Sequence, residues 1–415
     1  MVTQVEPAHA GSSIDAARNS IRILFRWFEG VGMVGIVAIV ALLYGAVTVG
    51  RLAQCNWDPT GFILPGDDHY TPSQAPIPLM TRGPGGYDGQ FYYRLALDPL
   101  TGQQEGYGLS LDRPAFRAQR ILYPTLARML ALGRVSWIPW SLIVLNYLAI
   151  CVLAYAAGRF TQLFGLSAFF GVAIAFMPGV LMGLARDLTD PLASSLMMAA
   201  LLLLQSRRIP LAASALALLV LTRESTLLLA VIVFLGAAVR SLQKRSPAHE
   251  TVILMLPLLT YAACQCWIRW TWGIWAFQVD HEAMLNVPFG ALGPFALHAL
   301  RIWYLLGSFA LLNQIFTALE VCFLGATVLL VAAVATKSTV VPEMKFAWLA
   351  YLILATLYSD AIWVEDWAFF RACGELMLLG FAILLGSRRR GWIVLASFAT
   401  LMLWRQLAFR VVAGP

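Results

Sequence analysis

The stretch VGMVGIVAIVALLYGAVTVGRL, residues 31–52, carries one charge, Arg51, near its far end. A bilayer core about 30 Å thick is crossed by about 20 apolar residues in a helix, and this run reaches that length. It reads as a membrane span. Arg18, Arg22 and Arg26 precede it. The run is too long, and lacks the small-residue cleavage site, for a removable leader, so an uncleaved signal anchor is expected with residues 1–30 as a cytoplasmic N-terminal segment.

Working outward from this run, further apolar segments lie near 136–157, 166–185, 190–206, 210–223, 225–240, 251–272, 312–336, 346–364, 367–386 and 391–410. They predict an all-α fold, a polytopic transmembrane helical bundle of about eleven spans, two of them short. The composition agrees, since 60% of the 415 residues are hydrophobic and only 12% are charged. With a mean hydropathy of +0.74, lipid and not a soluble core is the expected solvent. The net charge of +7 does not point to nucleic acid, because no basic tail with interleaved aromatics is present; basic cytoplasmic loops account for it.

Threading from a cytoplasmic N-terminus puts Arg159, Arg207, Arg208, Arg240, Arg245 and every lysine (Lys244, Lys337, Lys345) inside, together with Arg388, Arg389 and Arg390. Most acids fall on the other side. Two stretches too polar and too long to be simple connectors, 53–135 and 273–300, share that outer face. The chain therefore divides into a module over 31–240 containing the first loop and a C-terminal module over 241–415 containing the second. Within the first loop, RPAFRAQRILYPTLARMLALG (113–133) spaces Arg113, Arg117 and Arg120 at helical intervals ahead of a short apolar run. It reads as an amphipathic helix lying in the interface, with Arg113 and Arg117 snorkelling to headgroups.

Upstream in the same loop, RGPGGYDGQFYYRLALDPL (82–100) sets Asp88 between glycines and tyrosines. Asp88 has two readings, a helix N-cap or a general base that takes a proton from a sugar hydroxyl beside Tyr87, Tyr92 and Tyr93. Asp67 and Asp68 in PGDDHY form a second acidic cluster, suited to a divalent metal, to split acid and base roles, or to a solvated turn. Arginines beside predicted membrane ends are costly unless an anion meets them. Arg120, Arg186 and Arg223 are so placed, and a guanidinium fork matches phosphate oxygens. Arg223 occupies a tight turn with no other cation close in sequence, and Arg186 and Asp190 stand at pairing distance on a helix. Asp280 and His281 in VDHEAM put titratable groups on the second loop, with too few companions for a metal site. In VEDWAFFRACGE, Arg371 and Glu375 are expected to satisfy each other one turn apart. Phosphate-loop, Rossmann and nucleophile-elbow signatures are absent.

Taken together, YDGQFYYRLALDP, RPAFRAQRILYPTLARMLALG, ARDLTDPLASSLMMAALLL and LTRESTLLL resemble bacterial integral membrane proteins of cell-surface glycopolymer formation, which look like GT-C type glycosyltransferases. The YDGQFYY element is similar to the first-loop motif of the glycosylphosphatidylinositol mannosyltransferases, with Tyr87 where that motif has tryptophan. The resemblance covers roughly 85–230. It implies a site on the extracytoplasmic face of a bacterial inner (plasma) membrane. There a mannose-like hexose or a pentose would pass, with inversion, from a polyprenyl-phosphate donor to a glycan or glycolipid acceptor. Asp88 would be the base, with Asp67 or Asp68 as the alternative, and Arg120, Arg186 and Arg223 would meet the lipid phosphate. Tyr87, Gln90, Tyr92, Asp187, Asp190, Glu224, Asp280, His281 and Arg371 are the candidate substrate contacts. No cofactor is required under this scheme, because arginines stabilise the leaving lipid phosphate; a divalent metal is compatible with it. Two other classes compete. A transporter or flippase of lipid-linked sugars would place charge along a path through the membrane, where Glu320 is the clearest mid-span acid. The other is a non-catalytic scaffold of an envelope polysaccharide assembly complex.

Overall fold

The computed structural model describes residues 30, 32–81, 83–279, 285–300, 310–363 and 366–413. Among the described residues the fold is all-α apart from one hairpin. The first helix, α1 (Met33–Gln54), leads into the first loop, which holds α2 (Gly89–Leu97), a hairpin of β1 (Glu105–Gly106) and β2 (Leu109–Ser110), α3 (Pro114–Ala118) and α4 (Leu122–Leu130). The strands pair antiparallel, Glu105 with Ser110 and Gly106 with Leu109. Then follow α5 (Ile138–Gln162), a 3-10 segment Ala168–Phe176, α6 (Pro178–Ala185), α7 (Asp190–Gln205), α8 (Ile209–Val220), α9 (Leu227–Leu242), α10 (Ala248–Ile253) and α11 (Leu256–Trp272). The C-terminal part contains α12 (Leu292–Leu300), α13 (Ala310–Val334), α14 (Pro342–Leu357), α15 (Asp360–Trp363), α16 (Asp366–Ala372), α17 (Gly374–Gly386) and α18 (Arg390–Ala413). Proline occupies the first turn of α3, α5, α6, α7, α8, α11 and α14. Its missing N–H costs nothing there and its fixed φ suits the helix, so these prolines mark where the apolar runs begin to wind.

Among the described residues, six helical stretches are long and apolar enough to cross a membrane: Met33–Gln54, Val135–Gln162, Glu224–Leu242, Ala248–Trp272, Ile315–Val334 and Arg390–Ala413. A seventh results if Ala168–Phe176 and Pro178–Ala185, bent by 51° to each other, count as one. Among the described residues the count of about eleven spans is not reached, although the two runs expected to be short, 190–206 and 210–223, are short. Asp190–Gln205, Ile209–Val220 and Gly374–Gly386 are short, and a helix of 12 residues such as α8 rises only about 18 Å. The run expected over 346–364 stops helically at Leu357, and that over 367–386 is split at Cys373 into α16 and α17.

Of these short helices α17 sits inside the bundle, while α8 keeps Leu211 and Leu218 exposed. From Glu375 to Gly386 every residue of α17 is buried, the pattern of a helix enclosed by others, whereas α1 exposes Val34, Leu42 and Val49 along one side. One apolar core runs through both halves of the chain, with Tyr44, Leu153, Leu181, Leu216, Met344 and Leu379 among its members. The two sequence modules thus share a core.

The first loop packs as a layer on one end of the bundle. A second apolar cluster joins Tyr92 and Tyr93 of α2 and Tyr123 of α4 to Leu142 of α5 and to Leu188 and Leu192 at the start of α7. The single amphipathic helix predicted over 113–133 is instead two, α3 and α4, separated at Gln119–Ile121. Close approach also requires Gly89, since a Cβ there would lie 2.4 Å from the Arg186 carbonyl oxygen and 2.7 Å from that of Ile63. Only glycine lets α2 start against the turn that precedes α7.

Candidate functional site

Asp88 precedes α2 but does not cap it. Its own backbone is helical (φ −57°, ψ −24°) and its side chain makes no capping bond, whereas a capping side chain needs an extended backbone to reach the free N–H groups. The carboxylate turns to two guanidiniums from distant segments. Arg117 Nη1 of α3 lies 3.0 Å from Oδ1, and Arg371 of α16 donates to Oδ2 from Nη1 at 3.3 Å and Nη2 at 3.4 Å. The side chain keeps 26% exposure, enough for a ligand hydroxyl to reach it. Burial works against its charge, but Arg117 and Arg371, with Arg120 behind them, outweigh burial and hold the carboxyl far below the usual range.

Each guanidinium has its own carboxylates. Arg117 is held in a fork by Asp112, Nε to Oδ1 and Nη2 to Oδ2, both at 2.8 Å, and lies 4.2 Å over the Phe91 ring. Arg120 grips Glu224 (Nε–Oε2 2.7 Å) and donates to the Tyr92 hydroxyl at 2.7 Å. Asp190, at the N-terminus of α7, accepts from Arg371 Nε at 3.0 Å and from Arg223 Nη1. Arg223 also meets Glu375 at 2.9 Å and donates to the Arg371 carbonyl at 2.7 Å. Glu375 in turn accepts from the Ser225 hydroxyl, and Tyr351 donates to the Ser225 carbonyl. Asp112, Arg117, Asp88, Arg371, Asp190, Arg223 and Glu375 thus form one ion-pair network that joins the first loop, the start of α7, the turn before α9 and α16–α17, with the Arg120–Glu224 pair beside it.

Several sequence expectations change here. Arg371 and Glu375 do not pair with each other but with Asp190, Asp88 and Arg223, because the break at Cys373 sends their side chains to different partners. Asp190 pairs with Arg223 and Arg371 in place of the Arg186 expected one turn away. Arg223 is not remote from other cations, since it shares Asp190 with Arg371. Arg117 is no headgroup anchor; it is 7% exposed and faces inward. Arg120 and Glu224, expected at the phosphate and the substrate, close on each other.

The other expected residues distribute as follows. Tyr87 accepts from Arg371 Nη1 at 3.1 Å, and its ring carries the Arg186 guanidinium 4.0 Å away. These two residues join Asp88 at the site. Gln90 is buried and holds loop backbone, accepting from Gly66 N–H and donating to the Gly85 carbonyl. Asp67 and Asp68 lie on an exposed turn. Among the described residues no group of three His, Cys, Asp or Glu is placed to hold a metal ion. Asp187 is fully buried with φ 47°, and neither carboxylate oxygen has a hydrogen-bond partner. Burial pushes its carboxyl well above the usual range, with Arg51 offsetting only part. Asp280 and His281 lie outside the described residues.

Beneath the network, a narrow cleft opens between α6, α7, α16 and α17. Asp190, Arg223 and Arg371 stand at its polar edge, and Met177, Val180, Met197 and Met377 line its apolar part. Sequence reasoning missed Arg117, Asp112 and Glu375 as parts of the site. The signal available for the first two, an acid before a proline-started helix and an arginine in its last turn, has the i, i+5 spacing that no helical pairing rule selects. The chain matches no protein-family model, and comparison with curated proteins gives no match.

Proposed function

We propose that this protein is an integral membrane glycosyltransferase of GT-C-like architecture that moves a hexose or pentose from a polyprenyl-phosphate donor to an envelope glycan or glycolipid. The observation that carries this reading is Asp88, a reachable carboxylate that is spared from capping and set among arginines beside an apolar cleft. The lipid phosphate would meet Arg371 and Arg186, which flank Tyr87, and the apolar tail would follow the methionine-lined cleft. Arg120 and Arg223, already paired, would shape the site and not bind the donor directly.

In the transfer, the acceptor hydroxyl oxygen attacks the anomeric carbon and its proton passes to Asp88. The bond from that carbon to the phosphate oxygen breaks, and its electron pair leaves with the lipid phosphate. Guanidiniums stabilise the charge that develops on the leaving group. Inversion follows from attack opposite the departing phosphate. The N-terminus would be cytoplasmic and the site on the extracytoplasmic face of a bacterial inner membrane, an orientation supported by lysines that all fall on the opposite side of the threaded chain.

The test is to incubate the purified protein with a panel of polyprenyl-phosphate sugars and measure sugar loss from the lipid, with Asp88→Asn beside it. Sugar loss that depends on Asp88 is expected. Binding of these lipids without sugar loss under any acceptor overturns the enzyme reading in favour of a carrier of lipid-linked sugars.

A further inference from the structure

The two arginines that hold Asp88 differ in how firmly they are themselves held. Arg117 has two of its three nitrogens committed to Asp112 at 2.8 Å and its plane stacked on Phe91, leaving Nη1 alone for Asp88. Arg371 spreads its nitrogens over Asp190, Tyr87 and Asp88, and its contacts to Asp88, 3.3 and 3.4 Å, are the longest of the set. A phosphate arriving beside Tyr87 competes directly for those long contacts. It has no such claim on Arg117, whose fork is closed.

Resting on the assignment of Asp88 as base, we propose that Arg117, locked by Asp112, is the positioning residue that keeps Asp88 aimed while donor phosphate draws Arg371 away. Donor binding then does two things at once: it fills the phosphate site and removes one counter-charge from the base, which makes Asp88 a better proton acceptor. Arg117 remains in contact and keeps the carboxylate oriented and charged. The groups that face Asp88 are Arg117 from α3, with Arg120 of the same segment further off, and Arg371 from α16. Asp112, Glu224 and Asp190 counter these arginines, and Tyr87 adjoins Asp88.

The inference is tested by measuring kcat and donor KM across pH, with the melting temperature, for Arg117→Lys, Arg117→Met and Asp88→Asn. Arg117→Met removes the remaining contact charge. Its acid limb should move to higher pH by about one unit or more relative to wild type, because a carboxyl that has lost a counter-charge holds its proton more tightly. Donor KM should stay within about twofold, because Arg117 does not meet the phosphate. Arg117→Lys keeps the charge but not the fork; its acid limb should stay in place while kcat drops by about tenfold. If Arg117→Met does not fold, Asp112→Asn, at a side chain 24% exposed, loosens the same lock and should lower kcat with KM unchanged. An unmoved acid limb with wild-type kcat in the Arg117 variants overturns the inference, as does a uniform loss at every pH that follows melting temperature. Asp88→Asn transferring at the wild-type rate is a different result and removes the base itself.

Discussion

Asp190 joins two arginines held largely away from solvent, Arg223 ahead of α9 and Arg371 in α16, and the structure sets what its removal costs. The carboxylate is 3% exposed and accepts from both Arg371 and Arg223. In Asp190→Asn one oxygen remains to serve two guanidiniums, and the new NH2 group faces donors. Stripping one partner from a buried ion pair costs about 3–5 kcal/mol. Arg223 retains Glu375 and Arg371 retains Asp88, so the lower end, about 3 kcal/mol, applies. A domain of 150–250 residues loses about 2–4 °C per kcal/mol, and this longer chain should fall at or below that range, for a melting decrease on the order of 5 °C in detergent. An Asn variant that melts within about 1 °C of wild type would mean that water or lipid headgroups reach these arginines, and that the network is not a closed unit.

Asp88→Asn should lower turnover by about a hundredfold or more; because Asp88 answers Arg117 and Arg371 and caps nothing, melting should fall as well, whereas a capping role would leave it unchanged. Asp187 has a raised folded-state pKa, so its contribution to stability is full below the unfolded carboxyl value of about 4 and is lost as pH rises toward the folded value. Asp187→Asn, tolerated at φ 47° because Asn visits that region readily, should melt higher than wild type at pH 8 and show less decline from pH 5; identical pH profiles would place a counter-charge beside Asp187. Cysteines at Ser73 and Gln243, both exposed, test orientation in a background with the native cysteines replaced: an impermeant thiol reagent applied to intact cells should reach 73 and not 243, and the reverse pattern inverts the topology.

Helix content and the positions of most helices were legible in the sequence, because an apolar run in lipid must satisfy its own backbone and only a helix does so within one segment. Polar stretches between the runs showed roughly where they begin and end. Tyr87 and Asp88, as members of one candidate site, were also legible from residue type, as carboxylate and aromatic groups beside glycines in a long polar loop.

Pairing was not. Sequence spacing joined Arg371 to Glu375 and Arg186 to Asp190, because rules for charge pairs operate along a single helix. The observed partners lie between 33 and 283 positions apart for Arg223 with Asp190 and Arg371 with Asp88. A guanidinium selects the carboxylate that tertiary packing brings within reach, and burial makes that choice costly to reverse. Span length was decided the same way: α17 is apolar enough for lipid, yet it is enclosed by neighbouring helices and ends after 13 residues, while α8 ends after 12 with Leu211 and Leu218 still exposed. Apolar character is a local property of the chain; which apolar face meets lipid, and which arginine meets Asp88, depends on what packs against it.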